Sequence, residues 1–222
     1  MPQRFAPVLS ELAPLVPRFR DAGFKLFLVG GTVRDLMLDR SIDELDFDLT
    51  TDALPEQIKS LLAGWCDSLW TQGEKFGTIG AKKGDRVFEI TTHRAEAYSP
   101  DSRKPDVQFS KDIKEDLSRR DFTINAMALE ITNESPELVD PFNGLADLMG
   151  KVLRTPLSPE VSFSDDPLRM MRAARFISGL GMIAVPELIA AVQAMADRIT
   201  IVSAERIRDE FDRLIVTDRP SF

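Results

Sequence analysis

A chain of 222 residues, 43% hydrophobic and 29% charged, has the make-up of an ordinary soluble protein and is long enough to bury a sizeable core as one large domain or a head with a smaller appendage. Its net charge of −8 argues against a surface that coats nucleic acid indiscriminately, though a local basic groove is compatible with it. The one cysteine, Cys66, rules out an internal disulfide, no apolar run approaches the ~20 residues that span a bilayer, and no charged-then-apolar leader opens the chain. These features read as a cytoplasmic protein with no membrane partner.

In chain order, residues 7–22 carry Val8, Leu9, Leu12, Leu15 and Val16 at helical spacing and predict one amphipathic helix across Pro14 and Pro17, stopped at Gly23. The segment 26–51 follows. A short apolar run, LFLV, leads into Gly30-Gly31 and then VRDLML, whose Val33, Leu36 and Met37 again have helical spacing. That pattern predicts a strand, a tight turn and a helix. It is either a plain turn or a place where backbone comes close to a phosphate, with Arg34 as a ready partner for its oxygens. In DFDLTT, Asp46 and Asp48 stand two apart in strand-like sequence and so share a face. Such an alternation is a solvated strand face or a pair of hard oxygen ligands. Beside a phosphate cradle, the second reading predicts Mg²⁺ and metal-assisted phosphoryl or nucleotidyl transfer.

Residues 54–64 predict a second helix with Ile58, Leu61 and Leu62 inward. Three strand-like runs come next, DSLWTQ, FGTIGAKK and DRVFEITT, the last two forming a hairpin at Gly84-Asp85. Glu89, near the end of the third run, is an exposed strand residue or a further acid. Residues 93–112 mix proline, serine and charge without a period and read as a surface loop. His93, the only histidine, reads as structural because no second histidine or cysteine is nearby.

Beyond the loop lies SRRDFTINAMAL, where Arg119 and Arg120 precede Asp121, and Asn125 follows four residues on. On a helix Asp121 and Asn125 would share a face. The group is a helix start capped by Asp121, or two cations for a triphosphate with two hydrogen-bonding groups for a ribose. VDPFNGLADLMGKVLRT predicts a strand end, a turn at 141–144, a short helix and a final strand closing the first domain near residue 155. PLSPEVSF reads as a proline-rich connector, and three helices follow: 167–179, 186–198 and 203–216. In DDPLRMMRAARF, Asp166 is placed at the helix cap. Arg169, Arg172 and Arg175 lie on one broad side, with Leu168, Met171 and Ala174 beside them. The last helix places Ile207, Phe211, Leu214 and Ile215 at core spacing.

GGTVRD with DELDFDLTT, SRRDFTINAMAL, VDPFNGLADL and DDPLRMMRAARF, in that order over nearly the whole chain, resemble the motifs of the class II tRNA nucleotidyltransferases (CCA-adding enzymes) and the related bacterial poly(A) polymerases. The resemblance implies an α/β head of the nucleotidyltransferase, DNA polymerase beta-like, fold, with a mixed sheet flanked by helices, over residues 1–155. An all-α neck, incomplete beside the longer relatives, would occupy 156–222. It implies that Asp46 and Asp48 hold Mg²⁺ and that Glu89 is a third catalytic acid. Gly30, Gly31, Arg34, Arg120, Asp121, Asn125, Asp166, Arg169, Arg172 and Arg175 would bind the nucleotide. Within that family the segment 93–112, which keeps Arg94, Tyr98, Arg103 and Pro105, corresponds to a loop that helps the enzyme change from adding C to adding A. The last helix resembles the family's final neck motif, with Glu205, Arg206 and Arg208 as buttresses. The function implied is addition of CMP and AMP, from CTP and ATP, to the 3′ end of tRNA. A poly(A) polymerase, a CC-adding enzyme and a non-catalytic nucleotide- or RNA-binding module are the alternatives.

Overall fold

The computed structural model describes residues 3–40, 47–97 and 106–217. Their contacts gather into two compact units that interleave in sequence: residues 1–117 with 127–141, and residues 118–126 with 142–222. The sequence reading instead makes a single cut near residue 156. Among the described residues no helix is long and apolar enough to cross a membrane.

In the first unit the chain begins with α1 (Ala6–Leu12) and α2 (Val16–Arg20) rather than one helix. Pro14 and Pro17 explain the break, since a proline removes a backbone donor and restricts the residue before it. Val8, Leu12, Leu15 and Phe19 are nevertheless all fully buried. Strand β1 (Leu26–Val29) is buried along its whole length, as its unbroken apolar run demands. Gly30 then takes φ 70° and ψ −135° to turn the chain into α3 (Gly31–Met37).

Strand β2 (Phe47–Thr51) leads to α4 (Pro55–Leu62), where Pro55 fits the first turn and the Gln57 side chain accepts from the Leu54 N–H at 2.8 Å. Strands β3 (Ser68–Trp70), β4 (Thr78–Lys83) and β5 (Arg86–Thr92) follow, the last two as the expected hairpin. Residues 93–112 depart from the loop reading: β6 (Arg94–Ala97) pairs antiparallel with β7 (Asp106–Phe109) as a small separate sheet. A mixed-polarity ladder with one short repeat per strand has too little alternation to be read as sheet. Tyr98, Arg103 and Pro105 lie outside the described residues. His93 is fully buried, its ring 5.4 Å from that of Phe27.

After α5 (Ile113–Ser118), β8 (Ala128–Glu130) and β9 (Glu137–Val139) complete a seven-stranded sheet of order β3-β4-β5-β2-β1-β8-β9. Only the β2–β5 pair in it is parallel. The mixed sheet flanked by helices is the one the sequence implied. Its inner face is closed by Leu49, Ile79 and Ile90 and by an aromatic cluster in which Phe88 stacks on Phe47 and meets Trp65 edge-on at 5.0 Å.

The second unit holds α6 (Gly144–Gly150), β10 (Val152–Leu153), α7 (Pro159–Asp165), α8 (Arg169–Leu180), β11 (Ile183–Ala184), α9 (Pro186–Met195) and α10 (Ala204–Ile215). Three details differ from the sequence reading. Strand β10 pairs with β11 in a two-stranded sheet of its own and does not extend the main sheet. The supposed connector is the helix α7, started by Ser158, whose hydroxyl accepts from the Val161 N–H. The buried stripe of α8 is Met170, Ala173 and Phe176; of the expected triplet Leu168, just before the helix, is buried, while Met171 and Ala174 are only partly so. Phe176 meets Phe122 edge-on at 5.5 Å, and burying rings of this size is worth about 1.5–3 kcal/mol each.

The backbone at Gly30 generates a stability prediction. Alanine there must adopt a conformation closed to L side chains, so Gly30→Ala is expected to cost about 1–3 kcal/mol in urea unfolding. Gly31→Ala should cost less than about 1 kcal/mol, because its Cβ would meet only the Arg34 side chain, at 3.5 Å. Equal losses at the two positions would contradict the assignment of the strain to Gly30.

Candidate active site

The parallel ladder between β2 and β5 sets Asp48 beside Glu89. Because side chains alternate, Phe47, Leu49, Phe88 and Ile90 turn into the core while Asp48 and Glu89 both stand exposed on the other face. Two carboxylates directly opposed across a ladder repel one another. Hard, anionic oxygens side by side are the donor set that suits a divalent cation, so the residues present fit such an ion. Asp46 lies outside the described residues, and among those described no group of three or more potential ligands is gathered for a metal.

The Gly30-Gly31 turn departs from a bare phosphate cradle. The Gly30 N–H donates to the Met127 carbonyl at 3.4 Å. The Arg34 guanidinium, largely buried, grips Asp35 through Nε at 3.0 Å and Nη2 at 2.8 Å. Asp35 therefore fixes the arginine over the glycine turn.

In the second unit, the segment after Arg119 is a bend and a short 3₁₀ turn, Thr123–Asn125, rather than the helix assumed for Asp121 and Asn125. The two side chains still meet. Asp121 Oδ1 accepts from the Asn125 amide at 3.0 Å and from the Phe122 N–H at 2.8 Å. Asp121 Oδ2 accepts from Arg172 Nε at 2.9 Å and Nη2 at 2.6 Å. Burial, the largest single influence, opposes ionisation of Asp121. The Arg172 guanidinium, the Asn125 amide and the Phe122 N–H together outweigh it and hold the carboxyl below the ordinary carboxylate range. Arg172 is pushed upward: burial opposes its charge, but Asp121, with Glu210 and Asp166 farther off, favours it more.

The three arginines of α8 are not a solvated stripe. Arg169 donates through Nη1 to the Ser162 hydroxyl at 2.9 Å and through Nη2 to the Arg119 carbonyl at 2.6 Å. Arg172 binds Asp121, and Arg175 binds Glu210 while lying 4.5 Å from the Phe176 ring centroid. Asp166 does not head α8, which begins three residues later. Its Oδ1 accepts from the Leu168 N–H at 3.2 Å, and its Oδ2 pairs with Arg206 at 2.7 Å.

Glu210 is the neighbour of this cluster that sequence reading missed. It is 3% exposed and is the buried residue of α10, whereas Phe211 and Ile215, expected in the core, are half exposed. The available signal was electrostatic: three arginines on one side of a helix need a buried acid if that side is packed. Arg206, a buttress by the family resemblance, pairs with Asp166.

The fold and the exposed acidic row define a head of the nucleotidyltransferase type. A family model described as the poly A polymerase head domain matches residues 26–154, and one described as a probable RNA and SrmB-binding site of polymerase A matches residues 184–222. The chain belongs to the poly A polymerase head domain family. It is 41% identical over 208 residues to a CCA-adding enzyme of Lactobacillus helveticus, covering 93% of this chain and 50% of that protein. To the CCA-adding enzyme of Leuconostoc citreum it is 38% identical over 217 residues, covering 97% and 51%. Among solved structures, the CCA-adding enzyme of Bacillus stearothermophilus in complex with CTP matches with a TM-score of 0.81 and 32% identity, over 98% of this chain and 50% of that one. The Thermotoga maritima CCA-adding enzyme complexed with tRNA matches with a TM-score of 0.80 and 26% identity, over 96% and 48%. The chain thus spans about half the length of these relatives.

The buried pair yields a pH prediction. The folded state keeps Asp121 ionised to lower pH than the unfolded chain, whose carboxylate titrates near about 3.9. The pair's contribution is therefore present above that value and is lost as pH falls through the folded pKa. Asp121→Asn leaves Arg172 facing a neutral amide and should cost about 2–4 kcal/mol at pH 7. Its deficit relative to the wild type should shrink below about pH 4. Urea unfolding of both proteins from pH 3 to 7 checks this. A deficit independent of pH would contradict it.

Proposed function

We propose that this chain is the nucleotidyl-transferring part of a CCA-adding enzyme, attaching CMP and AMP from CTP and ATP to the 3′ end of tRNA without a nucleic-acid template. The observation that carries this reading is the exposed register pair of Asp48 and Glu89 in a head whose relatives, along nearly its whole length, are CCA-adding enzymes. On this reading residues 1–155 are the catalytic head and 156–222 a helical neck, and the reaction takes place in the cytoplasm.

Asp46 and Asp48 would hold Mg²⁺, with Glu89, the register partner of Asp48, as the third acid. When bound, Mg²⁺ supplies Lewis-acid activation of the RNA 3′-hydroxyl and neutralises charge on the departing pyrophosphate. The protein's own part is binding and positioning. Gly30 and Gly31 let backbone approach the triphosphate, with Arg34 held over the turn by Asp35. Arg120 neutralises phosphate, and Asp121 and Asn125 orient the ribose end of the nucleotide.

On this reading Asp166 and Arg169 exchange the partners they have here, Arg206 for the one and Ser162 and the Arg119 carbonyl for the other, for the base. A carboxylate accepts and a guanidinium donates, which matches the amino donor and ring-nitrogen acceptor shared by cytosine and adenine. Uracil and guanine present the inverse pattern and would leave polar groups unpaired. Arg172 and Arg175 belong to the same nucleotide site and brace it through Asp121 and Glu210.

Incubating the chain with labelled CTP or ATP and tRNA lacking its last nucleotides tests the proposal. The expected outcome is incorporation of C and then A. Asp48→Asn should lower it by about 100-fold or more without loss of folding. Asp166→Ala and Arg169→Ala should admit UTP and GTP at rates approaching CTP. Long A tails, addition of C alone, or nucleotide binding without transfer would instead identify a poly(A) polymerase, a CC-adding enzyme or a binding module. Near-native turnover by Asp48→Asn would remove the metal assignment.

A further inference from the structure

The carboxylate pair belongs to a longer row. Glu89 of β5 is also the register partner of Gly80 on β4, and Gly80 is the partner of Trp70 on the edge strand β3. Asp48, Glu89, Gly80 and Trp70 therefore run side by side across four strands and project from one face of the sheet. Gly80 has no side chain, and the indole of Trp70 lies in its place, so closely that a Cβ on Gly80 would overlap the ring. The ring is thereby laid against the sheet beside Glu89, yet Trp70 stays 37% exposed. One register pair along, exposed Lys82 faces Ser68 and stands on the same face as Trp70.

An indole resting on a glycine and 37% exposed leaves apolar ring surface open to solvent. Sheet-borne aromatics of this kind stack unpaired bases, with nearby cations following the phosphates. Strands are ~4.8 Å apart, so the indole over β4 lies about 5–10 Å from the strands carrying Glu89 and Asp48. That is about the reach of a nucleotide from its sugar oxygens to its base. The row ends at the acids read as the reaction centre, where the acceptor's 3′-hydroxyl has to come, so the acceptor strand is the occupant of this platform.

We propose that Trp70 is a base-stacking residue for the single-stranded 3′ end of the RNA acceptor, with Lys82 beside it for the backbone. The proposal rests on the reading of Asp48 and Glu89 as the reaction centre. Trp70 sets the affinity for the acceptor and leaves that for the incoming nucleotide untouched.

The test uses the full chain, a short RNA ending in CC as probe, and Trp70→Leu, which keeps an apolar cover on Gly80 but has no stacking face. Trp70→Phe keeps a ring. Of the two tryptophans, Trp65 is buried at 6% exposure, so quenching of emission by the RNA reports Trp70. The wild type should be quenched by the RNA and not by inorganic phosphate, and Trp70→Phe should lose the quench. Trp70→Leu should raise KM for the RNA by about 5- to 150-fold with KM for CTP within about twofold, and Trp70→Phe should recover most of the affinity. Unchanged RNA KM in Trp70→Leu, or equal rises in both KM values, overturns the platform. RNA-dependent quenching in a chain that transfers no nucleotide supports it while removing the proposed activity. Transfer that ignores Trp70→Leu does the reverse.

Discussion

Parallel pairing of β2 with β5 fixes what the open face of the sheet presents. A one-residue slip in that ladder would send Asp48 or Glu89 into the core and bring a phenylalanine or leucine out. Phe47 and Phe88, stacked 5.1 Å apart on the inner face, resist such a slip, because both rings would have to leave the cluster with Trp65. The core therefore enforces an arrangement of charge that is unfavourable on its own. Two adjacent carboxylates persist because the apolar side of the same strands is worth more than their mutual repulsion, which is small at an exposed site.

The second unit solves a different problem with the same economy. Arg172 and Arg175 lie against the Phe176 ring and reach two buried acids, Asp121 and Glu210. Charges with little access to water have to be paired and hydrogen-bonded, and each of these is. The consequence is positional. Asp121 is tied to α8, Glu210 of α10 is tied to the same helix, and Arg169 of α8 holds the Arg119 carbonyl. The segment from Arg119 to Asn125 and the arginines of α8 are thus parts of one hydrogen-bonded frame.

Much of the fold was legible because its periods are local. The apolar run of β1, the Gly-Gly turn, the β4–β5 hairpin and the helices α4, α9 and α10 follow from patterns within a dozen residues. Partnership at a distance was less accessible. Nothing in DRVFEITT says that it lies parallel to β2, so family resemblance offers Glu89 as a third acid but its pairing with Asp48 comes only from the fold. The same limit explains Glu210, whose partners are 35 or more residues away, and the exposed Phe211 and Ile215, whose helical spacing mimics a core stripe. Prolines misled in both directions: Pro14 and Pro17 broke a predicted helix, whereas Pro159 began one where a connector was expected.

On the proposed function, Asp48 and Glu89 stand at a cation site. Melting temperatures of the wild type and Glu89→Gln, each measured without metal and across a Mg²⁺ titration, test it most directly and need no substrate. Removing one of two opposed charges should make metal-free Glu89→Gln more stable than the wild type, by about 0.2–1 kcal/mol. Mg²⁺ should then raise the wild-type melting temperature and move the variant's much less. A wild type indifferent to Mg²⁺, together with a variant no more stable than its parent, would contradict the account.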